Sequence, residues 1–364
     1  MTVAVWVQAP VPCGDFLCPY TMGTLVRDAP RLYHVEAFHA AQVALVPGTD
    51  SLFYPPVYPP QLAVLMAPFS QLPFGVAVTI WSIITVVLYA AIVRAAYRSL
   101  GSRLNASLVG LAALAFPPFS AVVGYGQNTV LLLGACFLAW RALDRQQPFL
   151  AGAALGLMAL KPQFGLPFAV ITVAGREWRM LAGAVCSVLA QAGVVWLAMG
   201  PAAFTGFLAI VPDIMRNTDA LEAVSEHSHS IRAVTRLLPD AIGLPLWVMS
   251  VGAVSWIVAG AWRSAAPLHV RLGVAMLAAV LVSPHLIGYD VVLLALPLLW
   301  FGDWFVCRGR AASYWVAVTL LFVTLSFSWA TLTRVQPSVV VMLWMGLLVW
   351  RDIRATPHAV RAPA

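Results

Sequence analysis

The chain has 364 residues, of which 61% are hydrophobic and 10% are charged, and it carries a net charge of +7. A soluble globular protein has about 25% charged residues. The composition therefore excludes an ordinary soluble domain and predicts an all-α polytopic membrane protein. The positive charges stand singly between apolar runs instead of forming a basic tract. This pattern argues against nucleic acid as a partner and favours a role in membrane orientation.

The first 73 residues contain no apolar run long enough to cross a bilayer. Gln61 to Phe69 is apolar but short, which is typical of a re-entrant or interfacial helix. We therefore predict that residues 1–73 form an external loop region with one such helix. Cys13 and Cys18 could form a disulfide if this region is exported.

From Phe74 onward, apolar runs alternate with single arginines, so residues 74–364 are predicted to form a transmembrane helical core. We expect about ten membrane segments, several of them too short to cross without tilt or neighbours. The polar stretch 200–240 is predicted to be an external loop. The predicted segments are 74–96, 104–123, 127–142, the short pair 149–160 and 164–174, 181–199, 244–262, 272–282, 291–300, 312–331 and 337–350.

The side of the membrane that carries Arg94, Arg98 and Arg103 is assigned to the cytoplasm, because most of the 21 Lys and Arg residues then fall there. The same assignment places on the external face residues 1–73, residues 200–240, Gln127, Lys161 and His285. The N-terminal region would then be exported without a preceding span. We therefore expect the reading frame to continue upstream into an apolar helix of about 20 residues.

One stretch places ionisable groups between two apolar runs. It extends from Ser283 to Asp290, includes His285 and Tyr289, and is broken by Pro284. Burying such groups in hydrocarbon costs roughly several kcal/mol each unless they face a cavity or find partners. This stretch therefore predicts a site at the membrane surface.

Each further candidate has a functional and a purely structural interpretation. Lys161, the single lysine of the chain, either meets an anion or snorkels from a helix end. Asp15 is a functional carboxylate, a solvated acid or a helix cap. His285 either serves the site or bonds a neighbouring carbonyl. His227 and His229 lack a carboxylate or histidine partner at helical spacing, so they do not predict a metal site. No cofactor is predicted, and a metal requirement of the reaction stays open.

Several motifs occur in an order that resembles the family 87 glycosyltransferases. These are polytopic enzymes of the GT-C fold, and they include the polyprenol-phosphate-mannose-dependent α-1,2-mannosyltransferases of actinobacteria. The motifs are Asp15-Phe16, Arg31-Leu32-Tyr33, Tyr58-Pro59-Pro60, Gly126-Gln127-Asn128, Leu160-Lys161-Pro162-Gln163, Ser283-Pro284-His285 and Tyr289-Asp290. The resemblance implies a first helix that we expect to lie upstream of these 364 residues.

The resemblance implies an inverting transfer of a hexose, with mannose as the first candidate, from a polyprenyl-phosphate sugar to an acceptor hydroxyl. Asp15 would be the general base, on the external side of a bacterial inner membrane. The implied partners are membrane lipid, the lipid-linked sugar donor and a glycolipid or glycan acceptor. The residues expected to bind donor phosphate or substrate are Lys161, His285, Arg232, Gln127, Asn128, Tyr289, Asp290 and Tyr58.

One carboxylate suffices for this reaction, because a phosphate leaving group is already a weak base and needs no general acid. Two other functional classes of membrane protein stay open. One is a transporter or flippase of a lipid-linked sugar, although such proteins usually contain repeated halves and polar groups near the midplane. The other is a non-catalytic partner in envelope assembly.

Overall fold

The computed structural model describes residues 13–216, 228–327, 329–333 and 335–355, and all regular structure in these ranges is helical. A helix satisfies its own backbone hydrogen bonds, which hydrocarbon cannot do. The all-α class predicted from composition is therefore confirmed for the described part of the chain.

The N-terminal region, predicted to be a loop with one helix, folds into four short helices. They are α1 Leu17–Thr24, α2 Ala29–Leu32, α3 Val35–Leu45 and α4 Gln61–Met66. Leu17, Phe38 and Leu62 are fully buried between them. A Cβ atom on Gly23 of α1 would lie 2.7 Å from the carbonyl oxygen of Met66, so glycine allows α1 to approach α4 closely. The region is thus a packed layer of helices.

The next four helices lead the chain to the site. They are α5 Phe74–Leu100, α6 Ala106–Leu114, α7 Pro117–Tyr125 and α8 Thr129–Asp144. The axes of α6 and α7 differ by 45°. The bend falls at Phe116 and Pro117, because proline disfavours helical backbone in the preceding residue and donates no hydrogen bond. α7 ends at Gly126, whose φ of +69° is left-handed.

The middle of the chain contains a close helix pair. Its helices are α9 Pro148–Leu155, α10 Leu166–Ala174, α11 Trp178–Met199 and α12 Ala202–Arg216. A Cβ on Gly152 of α9 would collide with the carbonyl oxygen of Met180, and one on Gly183 of α11 with that of Phe149. The two helices therefore pack at backbone distance. The predicted loop 200–240 begins with α12, a helix that the polar sequence of this stretch did not predict.

The C-terminal half surrounds one buried helix. Its helices are α13 Ile231–Thr235, α14 Asp240–Arg263, α15 Leu268–Val282, α16 Ala295–Cys307, α17 Ala311–Ser326, α18 Ala330–Thr333 and α19 Ser338–Ala355. Every side chain of α15 from Leu272 to Val282 is buried. α15 packs against α10, α14, α16 and α19. It is the centre of the hydrophobic core, and its C-terminal end leads directly to His285.

Four helices in the described ranges are long and apolar enough to cross a membrane, which identifies an integral membrane protein. They are α5, α11, α14 and the continuous helical segment Gly288–Cys307, which a 3-10 turn at Gly288–Leu294 begins and α16 completes. The bent pair of α6 and α7 makes a fifth if it crosses as one unit. The count of about ten segments and the GT-C fold stay predictions.

Candidate active site

Asp15 lies in a short 3-10 turn, Gly14–Phe16, that is wedged against the end of α7. The ring of Phe16 is fully buried and lies 5.9 Å from the ring of Trp81 on α5. A Cβ atom on Gly126 would lie 2.6 Å from the Cβ of Phe16, so only glycine lets the turn reach this position. The indole nitrogen of Trp81 donates to the Gly126 carbonyl at 3.1 Å. This packing fixes the Asp15 carboxyl beside the residue that follows Gly126.

Cys13 and Cys18 flank Asp15 but are both free thiols, so the possible disulfide is not formed. The Sγ of Cys18 donates to the Pro55 carbonyl at 3.1 Å, and that of Cys13 lies 3.5 Å from the Val123 carbonyl. Each thiol thus helps to fasten the Asp15 turn to a different neighbouring segment.

Gln127 connects Asp15 to the rest of the site. Its Nε2 donates to Asp15 Oδ2 at 2.8 Å. Its Oε1 accepts a hydrogen bond from the Tyr58 hydroxyl at 3.0 Å and another from Lys161 Nζ at 3.2 Å. Residues from the N-terminal region, the α7–α8 connection and the turn after α9 therefore meet at one amide.

Lys161 and Asp290 form a buried ion pair next to this amide. Lys161 Nζ lies 2.7 Å from Asp290 Oδ1, and the two side chains are 3% and 2% exposed. Thr129, the first residue of α8, accepts from Lys161 at 2.9 Å and donates to the same Asp290 oxygen. A buried ion pair is stable only when further hydrogen bonds satisfy its groups, and Thr129 and Gln127 supply them.

Tyrosines enclose the carboxylate and the ammonium group. Lys161 Nζ lies 5.8 Å from the ring centroid of Tyr58 and 5.3 Å from that of Tyr289, within cation–π range. The hydroxyl of Tyr289 is hydrogen-bonded to Asp15. The rings of Tyr125 and Tyr289 lie 5.7 Å apart. Tyr54 approaches from the N-terminal region, and its hydroxyl occupies the space that a Cβ on Gly14 would need.

Burial raises the pKa of the half-buried Asp15 carboxyl above its ordinary value. The hydrogen bond from Gln127 and the positive charge of Lys161 act in the opposite direction and offset part of this rise. Burial also raises the pKa of the Tyr58 hydroxyl well above its usual range, so it is a hydrogen-bond donor at neutral pH. The site therefore contains a carboxyl with increased basicity, which suits proton abstraction.

Six of the nine predicted site residues thus form one connected cluster: Asp15, Tyr58, Gln127, Lys161, Tyr289 and Asp290. Asn128 is next to the cluster and is 3% exposed, and its Oδ1 has no hydrogen-bond partner within the described ranges. His285 is half-buried in the turn that leads from α15 to Tyr289.

Arg232 lies outside the hydrogen-bond chain as far as the described residues show. Its guanidinium carbon is 5.8 Å from the ring centroid of Trp247, and its Nη1 is buried without a hydrogen-bond partner there. The segment just before it is fastened to the His285 turn, because the backbone N–H of His229 donates to the Leu286 carbonyl at 3.1 Å. Arg232 is therefore on an element anchored to the site.

Three residues of the cluster were not predicted: Tyr54, Tyr125 and Thr129. Each is within a few residues of a predicted one, and Tyr125 and Thr129 directly flank Gly126, Gln127 and Asn128 in the sequence. A continuous run of polar and aromatic residues between two apolar helices was the available signal. No group of three His, Cys, Asp or Glu side chains within the described ranges has metal-site geometry, and His227 lies outside those ranges.

Fold and site together define an integral membrane protein with a half-buried carboxyl beside a buried ion pair. The sequence profile named Glycosyltransferase family 87 matches residues 57–284, so the chain belongs to this family and is a glycosyltransferase. The matched range includes Tyr58, Gln127 and Lys161, whereas Asp15 and Asp290 lie outside it.

Two curated relatives carry the name polyprenol-phosphate-mannose-dependent alpha-(1-2)-phosphatidylinositol pentamannoside mannosyltransferase. The protein from Mycolicibacterium smegmatis is 29% identical over 314 residues, which cover 81% of this chain and 73% of the relative. The protein from Mycobacterium tuberculosis is 27% identical over 217 residues, which cover 58% of this chain and 49% of the relative. No solved structure matches the chain.

Proposed function

We propose that this membrane glycosyltransferase moves a hexose, with mannose as the first candidate, from a polyprenyl-phosphate sugar to a hydroxyl group of a glycolipid or glycan acceptor. The names of the two relatives support the donor, the sugar and a glycolipid acceptor. The single observation that carries the proposal is the Asp15 carboxyl, which Gln127 holds at 2.8 Å within a buried polar cluster of a helical membrane protein.

In this reaction, Asp15 accepts the proton of the acceptor hydroxyl while that oxygen attacks the anomeric carbon of the donor sugar. The bond between the anomeric carbon and the phosphate oxygen breaks, and polyprenyl phosphate leaves as a weak base that needs no protonation. Attack opposite to the leaving group inverts the anomeric configuration. The raised pKa of Asp15 supports this role, because a stronger base accepts the hydroxyl proton more readily.

The leaving phosphate needs cationic or N–H partners. Arg232, with a buried Nη1 that has no partner in the described part of the chain, is the strongest candidate for this contact. His285 and Asn128 are the next candidates, because they border the cluster from the α15 turn and the α7–α8 connection. Lys161, Tyr58, Tyr289 and Asp290 complete the expected substrate cavity.

We propose the external face of a bacterial inner membrane as the site of the reaction. The charge asymmetry of the loops supports this orientation, because the arginines at the end of α5 mark a cytoplasmic side. The N-terminal helices and the His285 turn then lie on the opposite side.

Transfer is tested with purified protein in detergent or liposomes, a radiolabelled polyprenyl-phosphate mannose and a panel of glycolipid and glycan acceptors. Asp15→Asn is expected to lower the transfer rate by about a hundredfold to ten-thousandfold, the usual contribution of a general base. Asp28→Asn is the matched control, because Asp28 is a half-exposed acid of the same region paired with Arg31.

The same assay separates the alternatives. Movement of labelled donor across the liposome membrane without a glycosylated product would indicate a flippase. Neither transfer nor movement would indicate a non-catalytic partner. Full activity of the Asp15→Asn protein would remove Asp15 from the mechanism. The anomeric configuration of the product, read from its NMR coupling constants, tests inversion.

A further inference from the structure

The Lys161 ammonium group has all of its hydrogen-bond donors engaged. It donates to Asp290 Oδ1 at 2.7 Å, to Thr129 Oγ1 at 2.9 Å and to Gln127 Oε1 at 3.2 Å. An ammonium group carries three N–H donors. The side chain is also only 3% exposed. A donor phosphate could bind Lys161 only by displacing one of these partners.

Asp290 and Thr129 determine where the ammonium group lies. The Thr129 hydroxyl donates its proton to Asp290 Oδ1, so its lone pairs are available to accept from Lys161. Lys161 and Thr129 therefore share one carboxylate oxygen. This three-residue arrangement joins α8, the turn after α9 and the turn after α15, and it leaves Lys161 directed at Gln127.

The Gln127 amide can bind in only one orientation. Its Oε1 accepts from two donors, the Tyr58 hydroxyl and the Lys161 ammonium. If the amide turned over, its NH₂ group would face the Lys161 ammonium, which cannot accept, and its oxygen would face the Asp15 carboxylate, which cannot donate. Lys161 and Tyr58 thus direct Nε2 toward Asp15 Oδ2, which lies 2.8 Å away. An N–H donated to a carboxyl group favours the ionised form.

We propose that Lys161 is a positioning residue that acts on Asp15 through Gln127, and that Asp290 and Thr129 hold Lys161 in place for this task. The inference rests on the proposed function, in which Asp15 is the general base. It assigns the donor phosphate to other groups, with Arg232 as the first candidate. Lys161 instead keeps Asp15 ionised and oriented toward the acceptor hydroxyl.

Removing Lys161 is expected to make Asp15 harder to ionise. The Lys161 charge and the Gln127 hydrogen bond both lower the pKa of Asp15 against the effect of burial. Loss of Lys161 removes the charge and also lets the amide turn. Within the described ranges, the other titratable groups that face Asp15 from the surrounding elements are Cys13, Cys18, Tyr54, Tyr58, Tyr125, Tyr289 and Asp290.

The test compares Lys161→Met with wild type in the transfer assay. We expect kcat to fall about tenfold to a hundredfold, because a misplaced catalytic group loses rate on this scale. The donor KM stays within about twofold, since uniform donor binding is not affected. The acid limb of the pH profile moves to higher pH. A tenfold rise in donor KM with unchanged kcat would overturn the proposal and make Lys161 a phosphate ligand.

Arg141→Met is the matched control. It breaks an ion pair between Arg141 and Asp144 on α8 whose N–O distance is also 2.7 Å, but whose side chains are 24% and 51% exposed. Loss of this pair is expected to leave kcat, donor KM and the pH profile unchanged. An equal loss of kcat in this variant would overturn the proposal, because the effect would then be general to the helix.

A second variant covers the risk that Lys161→Met fails to fold with Asp290 buried alone. The double variant Lys161→Met/Asp290→Asn removes both charges and leaves no unpaired ion. It is expected to retain the wild-type melting temperature within a few degrees and to show the same fall in kcat. A folded double variant with wild-type kcat would overturn the proposal.

A direct titration of Asp15 separates this inference from the proposed function. Infrared difference spectra report the protonated carboxyl, and loss of the band in Asp15→Asn identifies it. The midpoint is expected at higher pH in the folded double variant than in wild type, because the lost Lys161 charge acts on Asp15 more strongly than the lost Asp290 charge of opposite effect. An unchanged midpoint would overturn the inference. If wild type transfers no sugar, the proposed function fails, while this titration still decides whether Lys161 acts on Asp15.

Discussion

At the residue scale, the environment of Asp15 opposes its own charge. Burial raises its pKa, and the Gln127 hydrogen bond, the nearby Lys161 charge and the Tyr289 hydroxyl offset part of that effect. A carboxyl optimised for stability would instead lie in water or accept several backbone N–H groups. The cost of ionising Asp15 supports its proposed role as general base, because the same burial makes it a stronger base.

Because burial outweighs the groups that favour ionised Asp15, we predict that Asp15→Asn does not destabilise the protein. The folded-state pKa of Asp15 is raised, so the stability linked to its protonated form is fully present below the unfolded pKa and is lost as pH rises through the folded pKa. At pH 7 the neutral amide avoids this loss. We expect a melting temperature in detergent equal to or above that of wild type at pH 7, with the difference shrinking toward pH 3.

A clear fall in the melting temperature at pH 7 would contradict this expectation. It would mean that the ionised carboxylate contributes net stability through Gln127 and Tyr289, and that burial is the smaller effect. The measurement also serves the activity test, since an Asp15→Asn protein that melts like wild type has lost transfer for a chemical reason.

At the element scale, glycines decide how closely the helices of the core approach. Gly152 on α9 and Gly183 on α11 each face a backbone carbonyl oxygen of the opposite helix, and a methyl group at either position would overlap it. After α9, the chain continues through a 3-10 turn, Gly156–Leu160, directly into Lys161. Because lipid supplies little hydrophobic force between helices, such close packing is a main source of their association. The α9–α11 pair is thus the support of the Lys161 turn.

Two alanine substitutions on α11 test whether its close packing against α9 stabilises the protein. Gly183→Ala is expected to destabilise the protein by about 1–3 kcal/mol, the usual cost of overpacking. Gly193→Ala, ten residues along α11, meets no atom within 4 Å and is expected to be neutral or slightly stabilising. Melting temperatures in one detergent give the comparison. Equal behaviour of the two variants would show that close approach of α9 and α11 contributes little.

At the scale of the whole molecule, one helical segment carries polar groups at both ends. The segment Gly288–Cys307 begins with Tyr289 and Asp290. It is followed by Arg308 and Arg310, which lie 3.4 Å and 3.1 Å from the Asp352 carboxylate of α19. Twenty helical residues span about 30 Å, the thickness of a bilayer core. The candidate active site and the arginine cluster are therefore expected on opposite sides of the membrane.

Cysteine labelling tests the orientation. Ser51 and Ser99 are exposed, the first beside the N-terminal helices and the second near the end of α5. In a parent with Cys186→Ser and Cys307→Ser, we expect Ser51→Cys to react with an impermeant maleimide in spheroplasts. Ser99→Cys is expected to react only after permeabilisation, and the parent gives the baseline. The reverse pattern would place the site in the cytoplasm.

Much of the candidate site could be predicted from the sequence, because its groups are polar residues in apolar surroundings. Lys161 and Asp290 interrupt apolar runs, where an unpaired charge would be costly. Thr129 gave no such signal, since a threonine at a helix start is common. The contact of Asp15 with Gln127 joins residues 112 positions apart, and a linear pattern contains no information on such a distance.

The sequence by itself determined the membrane class and the all-helical fold, because composition and period depend only on neighbouring residues. It predicted α4 as a short apolar helix, but it did not determine α1, α2, α3 or α12, which form by packing against partners distant in the chain. Tertiary structure alone decided that Lys161 faces Asp290, Thr129 and Gln127. The physical reason is that an ammonium group in a dry interior takes whichever acceptors the fold brings within hydrogen-bond distance.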